Sequence, residues 1–475
     1  MDWLAAPDYW MAREILQRGV AAVFIVAFAS TLNQFRPLLG DHGLLPAPRL
    51  LAGSGAHGPS LFTRWGYSDR KLVAVCWVGI VLAATLVAGL PQAGPAWVPL
   101  AAFLLLWGLY QSIVNIGQVF YGFGWEMLLL EAGFTVGLLG SHHVDPPRTI
   151  LLLTAWLVFR LEFGAGMIKW RGDPAWRDLT ALYYHHETQP MPGPLSRRAH
   201  LAPRWWHRCE AAGNHVAQLA VPFLLFVPQP VASLAAAVVI FTQLWLVASG
   251  NFAWLNWITI LLACCAVNDA AFHAVLPFLP PAARGSAAVP DPGPVWWIVL
   301  VVAATVLLLV AGIPALRNLF SHRQLMNASF NRWQLGNAYG AFGSVTRERI
   351  EVVIEGTLED DGGWREYEFR GKPGDPRRRP RQFAPYHLRL DWMMWFLPLG
   401  SVHQRWFHAL LSKLLVADPA VLALLRVDPF DGVPPARIRV LTYRYRFATD
   451  AEHRAEGCHW VRTGRRLTIG PVERG

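Results

Sequence analysis

The sequence predicts a polytopic α-helical membrane protein with a C-terminal soluble β-rich domain carrying inserted helices, and three observations predict it. Of 475 residues only 16% are charged and 54% are hydrophobic, where a soluble domain carries about 25% charged residues. Apolar runs long enough for a bilayer core, roughly 20 residues as helix, recur through the first two thirds of the chain. After Ala315 they stop, and 25 of the 42 Lys and Arg residues lie between there and Gly475. The chain therefore divides into a multi-helix transmembrane unit over 1–314, with a polar loop at 169–214, and a membrane-adjacent β-rich unit over 315–475.

The clear spans lie near 72–90, 97–114, 150–168, 231–249 and 295–314. Shorter or charge-bearing candidates near 14–33, 125–140, 215–228 and 252–268 bring the expected count to about seven to nine. The first apolar run follows DYWMAREILQR and precedes no small-residue cleavage site, so Met11 to Ser30 is expected to be an entering helix and not a cleaved signal.

Beyond Ala315 the pattern changes to that of strands. VTRERIEVVIEG alternates, with Val345, Arg347, Arg349 and Glu351 on one face and Ile350, Val352 and Ile354 on the other. WREYEFR puts Tyr367 beside Phe369, RIRVLTYRYRF lines up Leu441, Tyr443, Tyr445 and Phe447, and CHWVRTGRRLTI reads as a hairpin turning at Thr463 and Gly464. Asp418 and Pro419 are placed as N-cap and first residue of a short helix ending near Arg426. YHLRLDWMMWFL and VHQRWFHALLSKLLV are too short and too rich in Trp and His to span, and read as helices lying on the membrane surface.

The second unit holds 25 basic and 17 acidic residues. Arg alternating with Glu along strands is usually a solvated face, and no nucleic-acid motif is present, so nucleic acid is not expected as a partner. RRRPR at 377–381 is expected to be a solvated loop or a contact to anionic lipid headgroups. None of the five cysteines forms C-x-x-C; Cys76, Cys264 and Cys265 sit in apolar spans as small buried residues, and only Cys209 and Cys458 fall in polar segments.

Ionisable residues inside spans each cost about 2.5–3.5 kcal/mol at a helix centre and so demand partners. Glu126 and Glu131 in GWEMLLLEAGF, with Arg160, Glu162 and Lys169 in FRLEFGAGMIKW, are expected to form one buried ionic network. Glu162, Gly166 and Lys169 share a helix face, and Gly164 and Gly166 would admit a neighbouring helix. The loop that follows holds His185, His186 and Glu187, with His207 and His215 further on. HHE matches no zinc-ligand spacing, and consecutive side chains point apart, so no metal and no cofactor is assigned.

The run KWRGDPAWRDLTALYYHHETQPMPGPLS, followed by WWHRCEAAGNH, resembles the signature loop of the lipase maturation factor family. GWEMLLLEAGF, GNAYGAFGSVTRERIEVVIEGT and WREYEFRGKPGDPRRRPRQFAPYHLRLDWMMWF resemble further family segments, and together these cover much of the chain from about residue 110 to 460. The resemblance implies a chaperone-like factor of the endoplasmic reticulum in eukaryotic relatives. Here the compact size and the Arg-, Ala- and Pro-rich composition point to a bacterial member, in the inner membrane with the C-terminal domain on the periplasmic side. Its expected partners are membrane lipids and an exported client such as a lipase. The resemblance implies that Arg171, Asp173, Trp176, Arg177, Asp178, His186, Glu187, Gln189 and Pro190 form a client or ligand surface. That surface would face Tyr339, Gly340, Phe342, Gly343, Arg389, Asp391 and Trp392. Few cysteines argue against redox chemistry. The seven basic residues of the loop from Lys169 to Arg208 would by the positive-inside rule lie in the cytoplasm, against the family orientation.

The membrane unit is also loosely similar to the vitamin K-dependent carboxylase class. That likeness implies an alternative: an integral-membrane enzyme acting on a lipid-like or quinone-like substrate, with Lys169 as base and His186 with Glu187 as a proton-transfer pair.

Overall fold

The computed structural model describes residues 2–53, 58–278, 290–359 and 362–473. Helix α1 (Trp10–Leu39) opens the membrane unit, followed by α2 (Asp69–Ala88), α3 (Val98–Val114), α4 (Gly124–Gly137) and α5 (Arg148–Arg171). After a polar loop holding α6 (Leu182–Thr188) and α7 (Arg204–Leu219) come α8 (Val231–Ser249), α9 (Leu255–Ala263) and α10 (Val295–Phe320). Five helices, those at Pro7–Leu39, Asp69–Ala88, Arg148–Arg171, Val231–Ser249 and Val295–Phe320, are long and apolar enough to cross a membrane; a sixth span is possible if the bent pair Leu255–Ala266 and Asp269–Val275 counts as one. The expected range was higher because α3 has 17 residues and α4 has 14, and because 215–228 is the end of α7 plus one turn.

α1 is a full 30-residue helix although its sequence carries Arg13, Glu14 and Arg18. The charges are satisfied locally. Arg13 donates to the carbonyls of Ser141 and Val144, both at 2.7 Å, and Glu14 meets Arg18 at 2.9 Å and His142 at 2.8 Å. The Asp269 carboxylate accepts from the amides of Trp10 and Met11 and so caps the helix start. The outer faces of α8 and α10 present Leu234, Val238 and Phe241, and Val299, Val306 and Val310, all exposed and apolar. In an integral membrane protein such faces meet lipid.

α10 runs on to Phe320, past the expected boundary at 314. The second unit is a four-stranded antiparallel sheet, order β2-β1-β3-β4, from β1 (Arg349–Thr357), β2 (Arg365–Glu366), β3 (Arg437–Phe447) and β4 (Trp460–Glu473). Helices α11 (Arg389–Phe396) and α12 (Arg405–Leu415) are inserted between β2 and β3. Leu441, Tyr443, Tyr445 and Phe447 lie together as expected, packed with Val353 and Trp460. Asp418 caps a helix at Pro419–Leu422 through the amides of Ala420 and Val421, shorter than expected.

Three expectations fail here. Thr463 and Gly464 make no hairpin: β4 is one strand, and the register jump between Thr442 and Arg444 makes a bulge in which Gly464 supplies a φ of 64°. Arg349 and Glu351 are buried, not solvated, because the other side of β1 packs on the polar loop. α11 is likewise buried from Arg389 through Met394, and α12 turns Trp406, Phe407, Leu410, Leu411, Leu414 and Leu415 into the protein core. Of the RRRPR run, Arg378 points inward and donates to the carbonyls of Phe369 and Lys372.

Candidate functional site

The site is the polar loop after α5 and the C-terminal segments that grip it. The word GDPAW folds locally for a plain reason: Asp173 caps the turn of helix Pro174–Arg177 by accepting from the Ala175 amide at 2.9 Å, with Pro174 at the first helical position. The same carboxylate accepts from the amide of Val345 at 3.3 Å and from Arg347 at 2.9 Å, and the Asp173 amide donates to the Gly343 carbonyl at 2.9 Å. Trp176 is buried and its Nε1 donates to the Phe342 carbonyl at 2.9 Å. The segment 339–343 lies so close to α5 that a Cβ at Gly164 would meet the Tyr339 carbonyl at 2.3 Å, and one at Gly172 the Gly343 carbonyl at 2.2 Å. Both positions need glycine for that approach.

The far end of the loop is held by Arg349 from β1. Its guanidinium donates to the carbonyls of Glu187 at 2.8 Å, Gln189 and Pro190 at 3.0 Å, and pairs with Glu351 at 2.6 Å. Lys372 meets the other side of Glu351 at 2.9 Å, completing a buried triad. Gln189 reaches the carbonyls of His186 and Ser249, and Asn251 accepts from the amides of Phe383 and Ala384 while donating to Pro192. The loop is thus read mostly through its backbone, by polar groups withdrawn from water, where unmade hydrogen bonds are costly.

The intramembrane ionisable residues form three groups, not the single network expected. Glu131 pairs with Arg160 and also accepts from Asn337 Nδ2 at 3.0 Å and the Tyr339 hydroxyl at 2.8 Å; Arg160 donates to the Asn337 carbonyl at 2.6 Å. Glu126 pairs with Arg389 at 2.6 Å and accepts from the Tyr110 hydroxyl, all fully buried. The Arg389 guanidinium also sits over the Tyr121 ring, 3.5 Å from its centre. Glu162 and Lys169 are joined only through amides. Gln218 donates to Glu162 at 3.2 Å and accepts from Lys169 at 2.9 Å, while Gln243 donates to Glu162 at 2.6 Å. Lys169 also lies over the Trp176 ring at 4.8 Å. Gly166 allows this approach: a Cβ there would meet Leu219 at 2.8 Å.

Histidines line the interior of the loop. His185 packs against Phe342 and Phe252 and is pushed down to about 3, by burial first and by its neighbours His186 and Lys169 second. His186 points the other way, its Nε2 3.3 Å from Glu210 Oε2. Ligand-capable atoms of His186, His207 and Glu210 all lie within 4.8 Å of one another, which is a spacing that could hold a metal ion. Glu187 turns away from His186: its carboxylate accepts from the Phe447 amide at 2.8 Å and faces His200 at 3.3 Å. Burial, partly offset by that amide and by Arg349, holds the Glu187 carboxyl above its ordinary value.

The predicted residues therefore sort unevenly. The loop does face Phe342 and Gly343, while Tyr339 turns to Glu131. Arg389, Asp391 and Trp392 do not face it: Arg389 is on Glu126, Asp391 accepts from the amides of Gly371 and Lys372, and Trp392 packs on Trp125. α11 instead touches the loop through Trp395, whose Nε1 donates to the Thr188 carbonyl at 2.9 Å. Only Arg171, Arg177 and Asp178 of the nine predicted loop residues are exposed, and Arg171 is tied to the carbonyls of Leu319 and Ser321. The Lys169, His186 and Glu187 constellation is not assembled, because His186 and Glu187 take separate partners. All five cysteines are free, with Cys209 exposed and Cys458 buried. Sequence reading missed Glu210, Gln218, Asn337 and the inward turn of Arg349. For the first two a signal existed: His207, Ala211, His215 and Gln218 repeat at helical spacing along the buried face of α7, with Glu210 beside them.

Two family models match the chain: the lipase maturation factor transmembrane domain over residues 11–274 and the lipase maturation factor C-terminal domain over 335–469. No solved structure matches. The chain is 38% identical to lipase maturation factor 1 of Bos taurus, over 97% of this chain and 88% of that protein, and 38% identical to its Homo sapiens counterpart, over 96% and 86%. It is 28% identical to lipase maturation factor 2 of Homo sapiens, over 95% of this chain and 81% of that protein. The matched stretches include α4, α5, the polar loop and the segments that grip it. With both units matched in order and relatives aligned almost end to end, the chain belongs to the lipase maturation factor family.

Proposed function

We propose that this protein is an integral-membrane maturation factor for an exported client hydrolase such as a lipase, with the polar loop and the C-terminal sheet on the extracytoplasmic side, in a bacterium the periplasm. The observation that carries this reading is similarity along almost the whole chain to proteins named lipase maturation factor. The geometry supports it in one respect. The loop's hydrogen-bonding groups are mostly consumed inside the protein, as suits a rigid platform, while Arg177 and Asp178 remain exposed on it and Trp205 and Trp206 stand exposed at the start of α7. Exposed tryptophan and arginine are the residue types enriched in protein-binding patches.

Deletion of the gene should leave a secreted lipase synthesised at its normal level but inactive or degraded, and complementation should restore it. Unchanged activity of every exported esterase would refute the reading. A reporter fused after residue 473 should be active only if exported; cytoplasmic activity would remove the client from reach.

A further inference from the structure

We propose that His186, His207 and Glu210 form a binding site for a transition-metal dication, Zn²⁺ by ligand class, which pins α6 to α7 inside the polar loop. The three donors come from two helices that the sequence separates by the whole MPGPLS turn. His207 and Glu210, three residues apart on α7, fall on one side of that helix, and His186 on α6 meets them. Their ligand-capable atoms lie within 4.8 Å of one another. His186 Nε2 and Glu210 Oε2 are 3.3 Å apart. Bonds of about 2.0–2.1 Å in a tetrahedron put neighbouring ligand atoms roughly 3.3–3.4 Å apart, so this pair already has the required spacing, and it is long for a hydrogen bond between a ring N–H and a carboxylate.

Two of the three side chains, His207 and Glu210, are also oriented as metal ligands are. A ligating imidazole usually gives its second nitrogen to a carbonyl or carboxylate, which fixes the ring. His207 Nε2 is 3.1 Å from the His200 carbonyl, which leaves Nδ1, buried and without a hydrogen-bond partner among the described residues. Glu210 is held in the same way: its Oε1 accepts from Trp245 Nε1 at 2.6 Å, so that Oε2 is the oxygen turned toward His186. A buried ring nitrogen without a partner asks for a reason, here as at other buried histidines of this protein. A bound cation supplies one.

The donor set selects the ion. Two imidazoles and one carboxylate suit Zn²⁺ and neighbouring divalent transition metals, whereas Ca²⁺ and Mg²⁺ require oxygen ligands. Three protein ligands leave one tetrahedral position to a water or an incoming donor. The site lies on residues that the proposed client-handling role does not need as contacts, so the two readings fail separately.

The test uses the full chain in detergent, purified through a tag free of histidine, stripped with chelator, equilibrated with Zn²⁺ and desalted. Elemental analysis should find about one zinc per chain, matching one three-ligand site. His207→Ala and Glu210→Gln should each weaken retention by more than the about 10–100-fold that loss of even an outer partner costs. Zinc should also raise the thermal midpoint of the wild type and leave those variants unmoved. A wild-type protein that emerges without zinc, or variants that retain it equally, would overturn the proposal. If a variant does not fold, Co²⁺ added to the stripped wild type decides: visible bands of a tetrahedral ion, displaced by Zn²⁺, support the site, and their absence refutes it.

Discussion

Two sets of buried charge in this molecule are satisfied in opposite ways. On α4, Glu126 is met by Arg389, and Glu131, besides its pair with Arg160 on α5, by Asn337 and Tyr339; Arg389, Asn337 and Tyr339 all come from beyond the last membrane helix. On α5, Glu162 and Lys169 are met by Gln218 and Gln243 from the membrane unit and its loop, through neutral amides. The difference teaches where the two units are welded. A buried charge whose counterpart lies more than 200 positions away in sequence makes each unit's stability conditional on the other. A charge shared among nearby amides makes a local polar pocket that can change without separating the units.

The sharpest way to break this comparison is Arg389→Ala. It strands Glu126 in a fully buried site, and breaking a buried pair from one side costs about 3–5 kcal/mol, a large fraction of a typical total stability. Arg389→Met combined with Glu126→Leu should recover much of that loss, read as monodisperse yield and urea midpoint in detergent. A double variant as unstable as the single one would mean that the pair is not the weld.

Acid should act on the same place. His387, between the two units, is enclosed by the rings of Phe123, Trp125, Trp254 and Trp392 and is pushed down to about 4, by burial first and by Arg389 second. A histidine whose folded value is depressed leaves stability intact above its unfolded value near 6.5. Below that the unfolded chain takes up a proton that the folded one refuses, so stability falls between pH 6.5 and about 4. The expected loss is on the order of 2 kcal/mol by pH 5, and His387→Gln should flatten that part of the pH profile. An unchanged slope would take His387 out of the account.

The smallest effect belongs to the other region. Lys169→Gln keeps a donor for Gln218 and should cost about 0.5–1.5 kcal/mol, the net worth of an ordinary hydrogen bond, with folded yield nearly unchanged. A loss as large as that of Arg389→Ala would erase the distinction between weld and pocket.

Much of this was legible in the chain. Long apolar runs, the Asp-Pro helix start at Asp418 and the period-two pattern of Leu441 to Phe447 depend on neighbours in sequence: the runs are helices, though fewer are long enough to span than expected, Asp418 caps a helix, though a shorter one, and Leu441 to Phe447 lie together. Family words located the polar loop and its contact with Phe342 and Gly343. What sequence could not give was pairing at a distance. Arg349 and Glu351 read as solvated because alternation says only that two faces differ, not that both are covered. Glu131 does pair with Arg160, a cation nearby in the chain, but Glu126 read as part of the same network, whereas its partner Arg389 comes from the far unit. The bulge at Gly464 read as a turn for a similar reason: a glycine announces an unusual φ, and the partner strand decides what it is used for.

The close approach of Tyr339 and Gly343 to Gly164 and Gly172 has a consequence for how the protein is made. Synthesis runs from the N-terminus, so α5 enters the bilayer about 170 residues before the segment that will lie against its glycines is translated. Throughout that interval the groove along α5 is empty, and Arg160 has Glu131 but not the carbonyl of Asn337. Completion of the membrane half is therefore set by the arrival of its soluble half, and a ribosome that stops short of residue 343 leaves a helix bundle with an open seam.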